Sequence, residues 1–159
     1  MYAIYKQKKY GVSVGLDNQV TLHSRIKEEG FDNFVTPWGE VMDDFFSKTV
    51  NMNELDYLYR TVYEIQYKGH FFDVISAMKR ITIDEDWFVI RAGIEKYELI
   101  EKLGFERYDK ANWRKEIKRK DIEALKIIEK PLGIFKDQGL KIEILEGKAI
   151  DEFLASVKD

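Results

Sequence analysis

The side chains able to do chemistry are few, and their spacing excludes more than it suggests. Imidazole comes from two histidines, His23 and His70. His23 follows a β-branched stretch and His70 lies in a Lys68-Gly69-His70 turn, so both read as ordinary hairpin residues. No carboxylate stands at a spacing that would make either one a general base. The acid runs Asp43-Asp44 and Asp84-Glu85-Asp86 lack the alternating oxygen ligands and central glycine of a calcium loop. They read as charged turns, and no metal is expected. An enzyme with a carboxylate-only site at Asp43 and Asp44 would need a concave pocket around them. The 10 glycines are dispersed at turns, without the spacing of a phosphate-cradling loop. Ser13, Ser24, Ser47, Ser76 and Ser156 have no nucleophile-elbow context. With 0 cysteines, disulfides, thiolate metal sites, iron–sulfur clusters and thiol nucleophiles are all excluded. The expectation is a non-catalytic protein without a cofactor.

Charge carries more information than chemistry. The net charge is only −3, but two stretches depart from it. Between Glu28 and Asp56, eight carboxylates stand against Lys48: Glu28, Glu29, Asp32, Glu40, Asp43, Asp44, Glu54 and Asp56. Between Arg107 and Lys120, seven bases stand against Asp109 and Glu116. In a chain that is 35% charged, both stretches read as solvated faces. The functional alternative is that one complements a charged macromolecule, since opposed fields steer encounter and fix orientation. The basic run contains Trp113, Arg114, Lys115, Lys118, Arg119 and Lys120. These could neutralise phosphates while the indole stacks on a base, or they could form an edge strand whose lysines discourage aggregation.

The elements that must position these residues are mainly strands. A length of 159 residues fits one domain or two very small ones. The 45% hydrophobic content, with 9 Tyr, 10 Phe and 3 Trp, can fill an aromatic core. Tyr2–Lys6, Tyr10–Val14 and Val20–Leu22 read as a three-stranded meander turning at Gly15 and Asp17-Asn18. A second meander is expected over Tyr63–Ile75, Arg80–Ile83 and Trp87–Arg91. The two align at offsets of 61–62, pairing Tyr5-Lys6 with Tyr67-Lys68, Tyr10 with Phe72 and Val12 with Val74; Val20-Thr21-Leu22 then pairs with Ile81-Thr82-Ile83. Lys48–Leu58 aligns with Lys115–Leu125 at 67. The expectation is an α+β protein of antiparallel strands with short helices, a single compact domain built by tandem duplication of a β-rich module. Its halves would be 1–61 and 62–130, followed by a β-α appendix at 131–159. Chance likeness between two aromatic, strand-rich halves is the competing explanation.

Short helices are predicted at Glu54–Arg60, capped by Asn51 or Asn53, at Ile94–Leu103 closed by Gly104, and at Ala149–Val157. Lys120–Lys130 reads as a helix stopped by Pro131, with a turn leading into a strand as the other reading. Leu140–Leu145 alternates as a half-buried strand. With no apolar run of about 18 residues and no signal-like N-terminus, the expected location is cytoplasmic, without membrane contact.

Tyr67-Lys68-Gly69 in a strand-turn-strand, Val50–Leu58, and Leu103-Gly104-Phe105 followed by Trp113–Ile117 together resemble small cytosolic immunity proteins. These are encoded beside secreted polymorphic toxins of Gram-positive bacteria. The likeness covers most of residues 1–130. It implies a non-catalytic protein that binds a cognate toxin domain and blocks its active site. Many toxin domains are basic nucleases, which an acidic face of Glu40, Asp43, Asp44, Glu54 and Asp56 would suit. Trp38, in the turn-like Thr36-Pro37-Trp38-Gly39, would be the aromatic anchor if exposed and a core residue if not.

Overall fold

Side chains in a strand point alternately to two faces, and the first strands of this chain obey that period closely. In the structure, a computed structural model that describes residues 1–158, β1 (Tyr2–Tyr5), β2 (Lys8–Val14) and β3 (Gln19–Ser24) form the expected meander. Ala3, Tyr5, Tyr10, Val12, Val20 and Leu22 face the core. Lys6 and Gln7 both have positive φ, as a two-residue hairpin loop requires. Two strands that the acidic stretch had obscured follow, β4 (Asp32–Val35) and β5 (Val41–Asn51). Asn51 then caps a 3-10 turn at Met52–Glu54, and β6 (Tyr57–Tyr67) begins. The predicted helix over Glu54–Arg60 is therefore this turn and a strand: Tyr57, Tyr59 and the buried Leu58 belong to β6, whose Leu58 pairs with Ala3.

The second set of elements is β7 (His70–Val74), α1 (Arg80–Asp84), β8 (Phe88–Gly93), α2 (Tyr97–Leu103), β9 (Glu106–Arg107) and β10 (Asn112–Ile117). A 3-10 turn at Arg119–Asp121 leads into β11 (Ala124–Pro131). One expectation is corrected here, and of the two readings of Lys120–Lys130 the second holds. Arg80–Ile83 is helical, with Thr82 Oγ1 bonded to Lys79 and Ala77 carbonyls at its start. Lys120–Lys130 is a turn followed by a strand. The chain closes with a 3-10 segment at Gly133–Gln138, β12 (Lys141–Glu146) and α3 (Lys148–Ser156).

Two compact units result. The first is Met1–Thr61 with Glu129–Lys141, and the second is Val62–Ile128 with the chain from Ile142 onward. The segment read as an appendix is thus shared out: Phe135 enters the first core, Ile150 and Leu154 the second. Strand order is β4-β5-β3-β2-β1-β6 in the first unit and β9-β10-β8-β7-β6-β11 in the second, the same order with each strand replaced by its counterpart. Register matches as well. Val12 opposes Leu22 and His23 opposes Ser47, while Val74 opposes Ile90 and Arg91 opposes Arg114. The strand answering β3 is β8; the 80–83 segment to which the sequence offset pointed is α1, inserted between β7 and β8.

Candidate functional site

In the acidic stretch, β4 and β5 form a hairpin whose end is open to solvent. Val35 opposes Val41, and the turn between them holds Gly39 N to the Thr36 carbonyl at 2.9 Å and Glu40 N to Thr36 Oγ1 at 2.9 Å. That rigid turn raises Trp38 to 77% exposure, with its indole N–H donating to Glu40 Oε2 at 3.3 Å. Val35 and Val41 are exposed beside it, and Asp43 and Asp44 follow on β5, also exposed. Arg25 stands 3.9 Å from Asp44 and lies over the Phe45 ring.

This surface rests on an aromatic stack on the outer sheet face. His23 stacks on Phe45 at 5.2 Å, and Phe34 meets both rings edge-on. Burial pulls the His23 pKa below its ordinary value. Its Nε2 lies 2.9 Å from Ser13 Oγ, while Nδ1 is buried without a partner. A serine–histidine pair is therefore present, but among the described residues no carboxylate is bonded to the imidazole as nucleophile activation requires. Sequence reasoning missed this pair because nothing in the linear spacing of Ser13 and His23 announces the β2–β3 register that joins them.

The six acidic-face residues do not come together. Trp38, Glu40, Asp43 and Asp44 share the hairpin end, but β5 runs on the order of 20 Å from Asp44 to Asn51 before Glu54 and Asp56 are reached. Those two have structural duties. Glu54 accepts from Asn51 N at 2.7 Å, and Asp56 accepts from Gln7 N at 3.1 Å. In the second unit, Asp121 accepts from Lys118 N at 2.9 Å and Glu123 from Gly69 N at 2.8 Å, at corresponding positions. These carboxylates pin turns, although Glu54 and Asp56 are exposed.

The basic run divides in the same way. Arg119 is spent internally: its guanidinium bonds both Asp151 oxygens, at 2.7 and 3.2 Å, and the carbonyls of Ile122 and Gly147. Trp113 packs against the second core beneath Arg107, whose guanidinium lies 5.6 Å from the ring. Arg114, Lys118 and Lys120 remain exposed, and Lys115 is half-buried. Because β10 pairs with both β8 and β9, it is not the edge strand of its sheet. Among the described residues, no three His, Asp or Glu side chains converge as metal ligands do.

Each unit also has a shallow cleft at the same topological place. In the first, about 420 Å³, Lys48 lies against Gly30, which has positive φ. Lys8, Tyr10 and Ser24 all donate to Glu28 nearby. Lys8 holds the Glu28 carboxyl below its usual range, and burial, helped by Glu28, pushes Tyr10 up to about 12. In the second, about 300 Å³, Lys115 lies near Gly104, also at positive φ. Residues 1–132 match one family model. The chain belongs to the family described as Uncharacterised conserved protein UCP033725. No curated protein and no solved structure matches it. Among the described residues, no helix is long and apolar enough to cross a membrane.

Proposed function

We propose that this chain is a non-catalytic binding protein, an immunity protein that neutralises a basic toxin domain, and that it docks through the end of the β4–β5 hairpin. The observation that carries this reading is the tryptophan at the hairpin turn: 77% exposed, beside the exposed Val35 and Val41, with Glu40 bonded to its indole and Asp43 and Asp44 further along β5 on alternate faces. An aromatic anchor with a charged rim is the usual anatomy of a protein interface hot spot. The acid rim selects a basic partner by steering it and by repelling acidic competitors. The weak likeness to immunity proteins supplies the biological setting. We read the two units as copies of one module, because strand order, register and the turn-pinning carboxylates correspond. On that reading, the first copy's hairpin has been elaborated for recognition while the second keeps the plainer form.

The test is growth protection and co-purification with the toxin domain encoded beside the gene. Wild-type chain should protect and co-purify; Trp38→Ala and a Glu40/Asp43/Asp44→Lys variant should do neither while remaining folded. Protection that survives both variants would place the contact elsewhere, and its absence in the wild type would remove the immunity reading. The nucleic-acid alternative through Arg114, Lys115, Lys118 and Lys120 predicts low-salt binding to single- or double-stranded oligonucleotides that falls steeply as salt rises.

A further inference from the structure

β12 has one pairing partner, β11, among the described residues. Its other edge offers unpaired backbone N–H and C=O groups, a template for another strand. Proteins that remain monomeric blunt such edges with bulges, prolines or inward charges. β12 has no proline, and the charges it carries on the face of Leu145, Lys141 and Glu143, are of opposite sign and can pair across a strand junction. Leu145 turns inward and packs against the second core. On the opposite face, Ile142 and Ile144 are 55% and 52% exposed, and Leu140, just before the strand, is 59% exposed. Three aliphatic side chains in line on an open edge are an interaction surface awaiting a partner.

The order of residues identifies the occupant. We infer that β12 is a self-association strand, pairing antiparallel with β12 of a second copy about Ile142. A two-fold axis perpendicular to the sheet brings residues of equal parity opposite one another. Centred on Ile142, it sets Ile142 against itself and Leu140 against Ile144 of the second copy, making one continuous apolar face. On the other face it sets Lys141 against Glu143 of the second copy, twice by symmetry, as favourable cross-strand pairs. Moving the centre to Glu143 would put two glutamates face to face, and moving it to Ile144 would leave Lys141 without a carboxylate opposite. Glu143 has no ion-pair partner within its own chain among the described residues, and Lys141, though 3.3 Å from Glu129, is 65% exposed and can reach across. One strand pair is small beside a standard interface, so the dimer forms with rising concentration and is not obligate.

Sedimentation equilibrium over a wide concentration range reads this directly. Wild type should pass from monomer to dimer, and Ile142→Asp should remain monomeric because it places two carboxylates together at the axis. Lys141→Glu should also lose the dimer, and adding Glu143→Lys to it should restore the dimer by exchanging the signs. Since the chain has 0 cysteines, single thiols report register. Oxidised Ile142→Cys should form a disulfide-linked dimer and Ile144→Cys should not, its two copies being on the order of 13 Å apart along the strands. A chain that stays monomeric at every concentration, a dimer indifferent to Ile142→Asp, or crosslinking at 144 in place of 142 would each overturn the inference. All the substituted side chains are exposed, and circular dichroism checks that every variant folds.

Discussion

The β4–β5 and β9–β10 hairpins hold the same place in their sheets, yet they use tryptophan and charge in opposite ways. In the second, Trp113 opposes Arg107 in the ladder and packs against the core, with the Arg107 guanidinium over its ring. In the first, the ladder position answering Trp113 is filled by the buried Phe46, and the tryptophan has moved out to the turn amid acids. The positions that repeat are those that pack or pin turns: Tyr10 with Phe31 and Phe72 with Phe105, Asp56 and Glu123, Leu58 and Leu125. Many of those that differ face solvent, as Ser47 and Arg114 or Trp38 at the hairpin turn do in part or in full. Folding requirements therefore account for the common part, and under the proposed binding role recognition would fall to the exposed part.

The comparison is open to attack first at its core. Leu58→Ala and Leu125→Ala remove equally buried side chains from corresponding positions, and each should cost about 3–4 kcal/mol in denaturant unfolding. A cost below about 1 kcal/mol at one of them would break the correspondence. The tryptophans should separate next. Trp113→Ala is expected to lose about 3 kcal/mol of stability, whereas Trp38→Ala should stay within about 0.5 kcal/mol of wild type while weakening partner binding by about 2 kcal/mol or more in calorimetric titration. Arg119 sharpens the division within the basic run. Arg119→Met should cost about 2 kcal/mol through its lost bonds to Asp151, Ile122 and Gly147, and Lys118→Ala or Lys120→Ala should cost almost nothing in thermal melts.

The smallest effects are those of pH, and three groups of the first unit set them out. The folded-state pKa of Glu28 is depressed, so its contribution is present above the unfolded value near 4.5 and is lost as pH falls through the folded one. Glu28→Gln should flatten the acid limb of a stability–pH curve. His23 is also depressed, and below about pH 6.5 the unfolded chain takes up a proton that the folded chain refuses. Stability should therefore begin to fall there, and His23→Phe should remove that early slope. Tyr10 is raised to about 12, so the unfolded chain ionises first and stability should drop from about pH 10 upward, less so in Tyr10→Phe.

Much of the strand framework could be read directly from residue order. β1–β3, the Lys68-Gly69 turn, α2 with its left-handed Gly104 and α3 each carry a local period or cap that tertiary packing left intact. β11 was illegible because its buried residues, Ala124, Leu125, Ile128 and Pro131, do not alternate; the strand contributes to both units, and its spacing imitates a helix. β5 was hidden by Asp43-Asp44 at its exposed end, where solvent and not the core sets the residue type. The candidate site was half legible. Local composition located Trp38 and the nearby acids, but whether a carboxylate is free or bonded to a turn depends on partners distant in sequence, as Asp56 with Gln7 demonstrates.

The division of the C-terminal segment imposes an order on biosynthesis. Phe135 completes the first core, although most of that unit emerges from the ribosome before the second has begun. Ile150 and Leu154 do the same for the second. The first core therefore receives its last buried side chain from Phe135, and the second from Ile150 and Leu154, only after the strands around them have been made. A truncation at the end of the family match, residue 132, would take Phe135, Ile150 and Leu154 away together and so remove buried side chains from both cores at once.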